Sequence, residues 1–583
     1  MAVKEKKLSD EHRSRIEENT ALNEGIIGEW ILELFRKVAV ERKEALKAHR
    51  TLPIKHLFVD LEAVKADTMY ELFFIRKEDG SRFFNPKLIR SMKLACEFGE
   101  QLTSRHFNYP LERLTKWRDS VFRCAAGDLL RAVQKEITAF YQKAREGWEQ
   151  EVVQCMNQAL MALKLASNPH YSYHDVNVKS CKDYFHDFQL FFRQVLDSSS
   201  YQKLAADSDL PQSSLNQALK RLVQAICYAY FMQLRGYQEV LPEIQRLIED
   251  IQGKEEKPKE KKISLSDVVR KEQAALSKFM KQYPSGPLSM TLALLDEDPS
   301  MPFDPLLQGN IPNQLFWVRV GERKVWALHC PSPTVHVAMG KSPKISEEFR
   351  GFLHALRDKG EGQHHLIINM QDRTSWREEE RSRVLEELQQ KPEFSNQLNV
   401  VTLAMDGDFY FQQGAYAKEN HVAQFLHSFR EQLLLDSGGY FFPAGMKEVL
   451  NSTFIDQTFA AIHTQFFGGK NVLSHDKRLE FIEIFHLVLE LKVIALSEAT
   501  SFSLSCKDGA DVAAPAYAQF YCFIRLMSEG KLSKEELPML AMLLHTPALL
   551  ARERTVEEER VQRMIKICRL LEGSPTPLRN VQQ

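Results

Sequence analysis

The sequence has no cysteines at the spacing that zinc sites or disulfide frameworks require. Its nine cysteines are odd in number and widely scattered, and no two form a C-x-x-C pair. Most lie in apolar, helical contexts, such as the run Ala225-Ile226-Cys227. We therefore predict reduced, buried thiols, no structural metal and a cytosol-like compartment.

Long hydrophobic runs and a secretory signal are missing as well. No run approaches the roughly 18 apolar residues that a membrane-spanning helix needs. The charged start, Met1 to Lys7, is not followed closely by an apolar stretch. These two absences predict a cytoplasmic protein without a transmembrane segment.

The chain also lacks an excess of charge of either sign. Its 77 basic and 78 acidic residues leave a formal net charge of −1 over 583 residues. Nucleic-acid-binding domains concentrate Lys and Arg, so this balance predicts no nucleic-acid partner. A Walker loop, a G-x-G-x-x-G fingerprint and a G-x-S-x-G elbow are absent too, so no cofactor is predicted.

Hydrophobic periodicity indicates an α+β fold. Apolar residues recur at helical spacing in the first half, with one possible hairpin at 71–84, whereas strand and helix patterns alternate in the second half. The alternation predicts a mixed or partly parallel sheet, and a charged run with nothing to bury predicts a linker. The predicted units are a helical module (1–252), a linker (253–264), an α/β domain (265–530), C-terminal helices (531–573) and a disordered tail (574–583).

The segment 500–506 alternates apolar and polar residues, as a strand requires. Phe502 and Leu504 face one side, and Cys506 is in phase with them. Asp511 is expected to cap the helix that follows. A cysteine between a strand and a helix N-terminus can have a lowered pKa, and the N–H groups there favour an anion. A small buried hydrophobic residue is the alternative for Cys506, and its apolar phase favours that alternative.

The loop beginning at Cys506 reads C-K-D-G-A-D-V-A and resembles the C-x5-R loop of cysteine-dependent phosphatases. The version in bacterial effector phosphoinositide phosphatases reads C-K-S-G-K-D-R-T, and Cys506, Lys507, Gly509 and Asp511 match it. The resemblance implies a nucleophile at Cys506 and ligand binding by the other three. Val512 replaces the arginine, and an arginine that stabilises transferring phosphate contributes about 10³–10⁵ in rate. The loop is therefore degenerate.

A second polar loop, Met370 to Ser375, also joins a predicted strand to a predicted helix. In a parallel sheet it would reach the same edge as the Cys506 loop, where α/β proteins bind ligands. Arg373, with Thr374 beside it, would then complement Cys506 from a neighbouring strand. The alternative is an exposed arginine in a capped first helical turn, because Ser375 and the glutamate three residues later form a capping-box pattern.

Asp406 and Asp408 follow the predicted strand at 399–404. In a phosphatase, one of them would be the general acid. Paired carboxylates also suit Mg²⁺ or Mn²⁺, as in the D-x-D site of glycosyltransferases, but no nucleotide-binding fingerprint accompanies them and we assign no metal ligand. A polar turn at the end of a strand is the alternative.

Five segments after residue 364 are similar to large proteins of chlamydia-like intracellular bacteria. The resemblance implies no particular activity, but it indicates a role at the host interface, with the protein in the bacterial cytosol or delivered to the host by a non-classical route. The segments are LIINMQDRTSWRE, NVVTLAMDGDFY, RLEFIEIFHLVLELKVI, SFSLSCKDGAD and TPALLARER.

Taken together, the sequence favours a non-catalytic protein, a pseudoenzyme and candidate effector with a degenerate phosphatase-like domain. Its expected partner is a phosphorylated ligand or a host protein. The alternative is an active cysteine phosphatase that uses Cys506 on phosphoinositides or phosphoproteins.

Overall fold

A computed structural model describes eleven stretches of the chain. They are 109–168, 180–206, 213–238, 242, 265–282, 304–307, 309–335, 342–360, 362–375, 378–552 and 555–573. The chain forms two compact units, one made of 1–115, 273–301 and 552–555, the other of 116–272, 302–551 and 556–583. The site and the contacts described below lie in the second unit.

The described residues that precede the sheet form helices, as predicted. Phe231, in the helix Ser214–Met232, stacks on Phe352 in the α/β part at 5.0 Å between ring centres. This helix and the α/β part therefore share a core. The predicted hairpin at 71–84 and linker at 253–264 lie outside the described residues and stay predictions. The helices are α1 Tyr109–Ala132, α2 Gln134–Ala144, α3 Glu151–Ala166, α4 Cys181–Asp197, α5 Ser199–Ala206, α6 Ser214–Met232 and α7 Leu265–Gln282.

A mixed six-stranded sheet is the centre of the α/β part, and the α+β prediction is confirmed. Its order is β1-β2-β8-β5-β6-β7. The inner strands β2, β8, β5 and β6 run parallel, and β1 and β7 are antiparallel to their neighbours. The strands are β1 Asn313–Val320, β2 Arg323–His329, β5 His365–Asn369, β6 Leu398–Leu403, β7 Tyr440–Phe441 and β8 Ser501–Ser505, with a separate pair, β3 Thr334–Val335 and β4 Lys344–Ile345.

Helices lie between these strands and follow them. A π-helical stretch, Leu450–Phe454, directly joins the helices Ala444–Val449 and Ile455–Phe467. None of the described helices is both long enough and apolar enough to cross a membrane. The helices are α8 Glu347–Asp358, α9 Glu379–Leu388, α10 Val422–Leu434, α11 Ala444–Val449, α12 Ile455–Phe467, α13 His475–Leu496, α14 Ala513–Glu529, α15 Leu537–Arg552 and α16 Glu558–Glu572.

The two faces of β8 differ as its alternating sequence predicts. On one face, the ring of His365 lies between Ser501 and Ser503, with Nδ1 2.9 Å and Nε2 3.1 Å from their hydroxyls. On the other face, Phe502 packs against Phe520 of α14. All five residues of β8 are buried, which is typical of a central strand covered on both faces.

A tyrosine hydroxyl completes the sheet where β2 and β8 separate. Their ladder pairs Ala327 with Phe502. Beyond this pair, the hydroxyl of Tyr517 from α14 accepts a hydrogen bond from the backbone N–H of Leu504 at 2.6 Å and donates to the carbonyl of Leu328. Because Tyr517 is 1 % exposed, this hydroxyl satisfies two backbone groups that water cannot reach.

We expect Tyr517→Phe to lower the free energy of unfolding by about 2–4 kcal/mol, because it leaves a buried N–H and a buried carbonyl without a partner. Urea unfolding followed by tryptophan fluorescence would measure the loss. Tyr521→Phe, in the same helix but half-buried, is the matched control and should change little. Equal stability of both variants would contradict a bridging role for Tyr517.

Candidate functional site

The loops after β5 and β8 emerge side by side at the carboxyl edge of the sheet. The strands are parallel neighbours with Asn369 opposite Ser505, and the N–H of Met370 donates to the carbonyl of Ser505 at 2.8 Å. Within the sheet, β6, the next strand in the chain, lies on one side of β5, and β8 lies on its other side. Strand order therefore reverses between β5 and β8, and α/β folds bind ligands at such a reversal.

Cys506 lies at this edge with its thiol buried. The residue is 6 % exposed and follows the last residue of β8, Ser505. Backbone N–H groups of Val512 and Ala513 point at the thiol and lower its pKa, but burial and the nearby Asp508 carboxylate outweigh them and raise the pKa to about 12. The pKa is therefore raised rather than lowered, and the alternative that the apolar phase favoured, a small buried side chain, describes Cys506.

The Cys506 loop packs against His329, the last residue of β2. Gly509 has a φ of 67°, and a Cβ there would lie 2.6 Å from Cε1 of His329. The Nε2 atom of His329 is 2.8 Å from Oδ1 of Asn310, whose amide donates to the carbonyl of Asp508. Gly509 thus permits both a left-handed turn and contact with a buried ring.

Asp511 does not cap the helix that follows it, so that prediction is wrong. Helix α14 begins at Ala513, and Val512 occupies its N-cap position without a side-chain bond. The carboxylate of Asp511 instead accepts a hydrogen bond from the N–H of Glu557, at the start of α16, at 3.2 Å. Asp511 therefore connects the Cys506 loop to the last helix.

Arg373 has a structural role. Its Nε and Nη2 atoms bond to the two carboxylate oxygens of Glu386 in α9 at 3.0 and 3.1 Å. Its Nη1 atom donates to the carbonyls of Asp436 at 2.6 Å and Gly438 at 2.9 Å. The guanidinium therefore fastens the β5 loop to α9 and to the segment before β7. These contacts do not include Cys506, and the side chain is 18 % exposed, so neither prediction for Arg373 describes it.

Thr374 and the predicted capping box are part of a turn before α9. The Oγ1 and N–H of Thr374 bond to Oδ1 of Asp372 at 2.7 and 2.9 Å. Glu378 accepts a bond from the N–H of Asp372 at 2.7 Å, and α9 begins one residue later, at Glu379. The expected capping box at Ser375 is wrong, because Glu378 closes the turn back onto Asp372.

Arg381 is the cation that sequence reasoning missed. It is 5 % exposed and interacts with Glu378 and with Asp508 of the Cys506 loop. Lys507 also interacts with Glu378, whose pKa is raised to about 7 by burial and by Asp406. One signal was available, since Arg381 is four residues before Leu385 and so lies on the buried face of α9.

The aspartates after β6 have different surroundings. Oδ1 of Asp406 lies 2.5 Å from Nη2 of Arg560 in α16, whose Nη1 donates to the carbonyl of Met405 at 2.6 Å. Asp408 is exposed, and its Oδ2 is 3.2 Å from where a Cβ of Gly414 would lie. Within the described part of the chain, no three His, Cys, Asp or Glu side chains are arranged to hold a metal ion.

Negative charge exceeds positive charge at this edge. The buried atoms Oγ of Ser505 and Oε1 of Gln371 have no hydrogen-bond partner among the described residues. An unpartnered buried polar atom costs about 1–3 kcal/mol, which a bound polar group can offset. Apart from the Arg373–Glu386 pair, the charged side chains here are the carboxylates Asp372, Asp406, Asp508 and Asp511, the partly ionised Glu378, whose pKa is about 7, and the cations Arg381, Lys507 and Arg560.

Comparison with known proteins adds no relative of this arrangement. No protein-family model, no curated protein and no solved structure matches the chain.

We expect Arg373→Ala to lower the free energy of unfolding by about 3–5 kcal/mol, because the carboxylate of Glu386, 7 % exposed, would lose its cation. Thermal and urea unfolding would measure the change. Arg383→Ala is the matched control. Arg383 and Glu387 form an exposed ion pair in α9, the helix that also contains Glu386, and such a pair contributes about 0–1 kcal/mol. A stable Arg373→Ala protein would refute this structural assignment.

We expect Cys506 to resist iodoacetamide in the native protein at neutral and mildly alkaline pH, because the thiolate reacts and the raised pKa leaves little of it. Peptide mass spectrometry would compare it with the partly exposed Cys155. Both cysteines should react once urea unfolds the chain. Native labelling of Cys506 at the rate of Cys155 would show that the thiol is accessible and ionised.

Proposed function

We propose that this protein is a non-catalytic binding protein whose ligand site is the carboxyl edge between β5 and β8. The observation that carries the proposal is the burial of Cys506, which with the nearby Asp508 raises the pKa of the thiol. A phosphatase nucleophile must be an exposed thiolate beside an arginine. The buried guanidinium of Arg381 interacts with the carboxylates of Glu378 and Asp508.

The charges favour one kind of partner. A phosphoryl group carries nearly two negative charges at neutral pH, and the excess of carboxylates at this edge would repel it. A protein partner that presents a basic segment would be attracted instead. Of the two partners expected from the sequence, we therefore favour the protein over the phosphorylated ligand.

The second candidate is an active cysteine phosphatase. It is favoured by one observation, the N–H groups of Val512 and Ala513 that point at the Cys506 thiol. A reaction would require Cys506 to become exposed and Arg381, which interacts electrostatically with Glu378 and Asp508, to turn toward the phosphate. Because Cys506 and Arg381 are both buried, this candidate is the weaker one.

Turnover of phosphoinositides and phosphopeptides separates the two candidates. We expect the native protein, Cys506→Ser and Arg381→Lys to release equal, background amounts of phosphate. Release that depends on Cys506 would overturn the non-catalytic proposal. Circular dichroism of each variant would confirm that it is folded before the comparison is made.

Binding tests the choice of partner. We expect a fluorescent lysine-rich peptide to bind more tightly than a phosphoinositide headgroup, and Asp508→Asn to weaken the peptide about 2-fold to 5-fold, in line with a partly exposed ion pair. Glu322→Gln, an exposed residue in the β1–β2 turn, is the control and should have no effect. Tighter binding of the headgroup would instead favour the phosphorylated ligand.

A further inference from the structure

The β1–β2 hairpin presents two tryptophans and two cations on one face. Trp317 pairs directly with Trp326, and Arg319 pairs with Lys324. Residues two apart in a strand point to the same side, so all four side chains share a face. Trp317 is 46 % exposed, Arg319 and Lys324 are exposed, and Trp326 is half-buried.

The opposite face of the hairpin fixes these side chains in place. Phe316, Val318 and Val325 are buried there, and Phe316 packs on Tyr521 of α14 at 5.2 Å between ring centres. Nη2 of Arg323 donates to the carbonyl of Ala495 at 3.1 Å, which anchors the hairpin turn. The exposed rings therefore belong to a packed strand pair.

Both indole rings receive the same cation. The ammonium of Lys324 lies 4.6 Å from the ring centre of Trp317 and 4.2 Å from that of Trp326. A cation over an exposed indole is held only weakly by the ring quadrupole. The ammonium can thus leave when another group stacks on the rings, and it then remains beside that group.

We propose that this hairpin face binds single-stranded nucleic acid, with bases stacked on Trp317 and Trp326 and phosphates paired with Arg319 and Lys324. Aromatic rings next to cations are the elements that sequence-tolerant single-strand binding uses. When a base displaces the ammonium of Lys324, the adjacent phosphate offers it a new partner. The surface is separate from the carboxyl edge, so the inference does not depend on the proposed function.

The net charge of −1 does not oppose this proposal. Charges separated by more than about 8–10 Å are largely screened at physiological ionic strength, so a phosphate on this face responds mainly to Arg319, Lys324 and the Glu322 carboxylate in the turn, which together leave one positive charge. An anionic membrane suits the face less well, because the small apolar area of one half-exposed indole gives weak insertion.

Fluorescence anisotropy with a labelled oligodeoxythymidine tests the proposal on the full-length chain. We expect saturable binding that quenches tryptophan fluorescence and weakens as salt rises. Trp317→Ala should weaken it about 5-fold to 150-fold, the equivalent of one stacked base. Arg319→Ala and Lys324→Ala should each reduce the slope of log K against log salt by about 0.7.

Trp148→Ala is the matched control, because Trp148 is also 46 % exposed but follows α2, outside the hairpin. It should leave binding unchanged, and thermal unfolding of each variant would exclude loss of fold as the cause. Absence of saturable binding, or equal losses in Trp148→Ala and Trp317→Ala, would overturn the proposal. The proposal would also be overturned if the protein floated with phosphatidylserine vesicles in a manner that required Trp317 and did not bind the oligonucleotide.

Discussion

The parallel pairing of β8 with β5 is the contact on which the rest of the α/β part depends. It places β8 between β2 and β5, which precede it by more than 130 residues in the sequence. It also brings the loops that follow β5 and β8 to the same edge of the sheet. Burial of every residue in both strands makes the register strict, because a shift by one residue would exchange the His365 side of β8 with its Phe502 side. The Cys506 loop and the start of α9 meet because that register holds.

Buried charges at the carboxyl edge mainly serve the fold. Arg373 pairs with the buried carboxylate of Glu386, and the buried guanidinium of Arg560 pairs with the exposed carboxylate of Asp406. Each pair connects a loop to a helix. A buried ion pair adds little net stability, because removing its charges from water costs about as much as their attraction returns. What such pairs supply here is position, since each guanidinium also binds backbone carbonyls of one particular loop.

Local pattern was enough to predict the inner strands and most of the helices that follow them. The serine–apolar alternation of β8 is an example, because a period of two depends only on neighbours in sequence. The partners of the charged residues could not be predicted, since Arg560 meets Asp406 across more than 150 residues. The apolar phase of Cys506 correctly favoured burial, but the direction of its pKa shift could not be predicted, because the sequence does not show whether burial or the helix N-terminus has the larger effect. The tryptophan pair was missed because total charge says nothing about two cations on one hairpin.

The hydroxyl of Tyr517 between β2 and β8 has a consequence for the order of folding. The backbone groups of Leu328 and Leu504 obtain this partner only when α14 is in place, so we expect closure of the sheet to be coupled to docking of the helix. During synthesis, β2 and β5 emerge long before β8 and α14, and their inner edges must wait without a partner. Contacts between such distant segments form slowly, and open strand edges invite pairing with other chains. We therefore expect a nascent chain that lacks β8 and α14 to expose two strand edges at which other chains can pair.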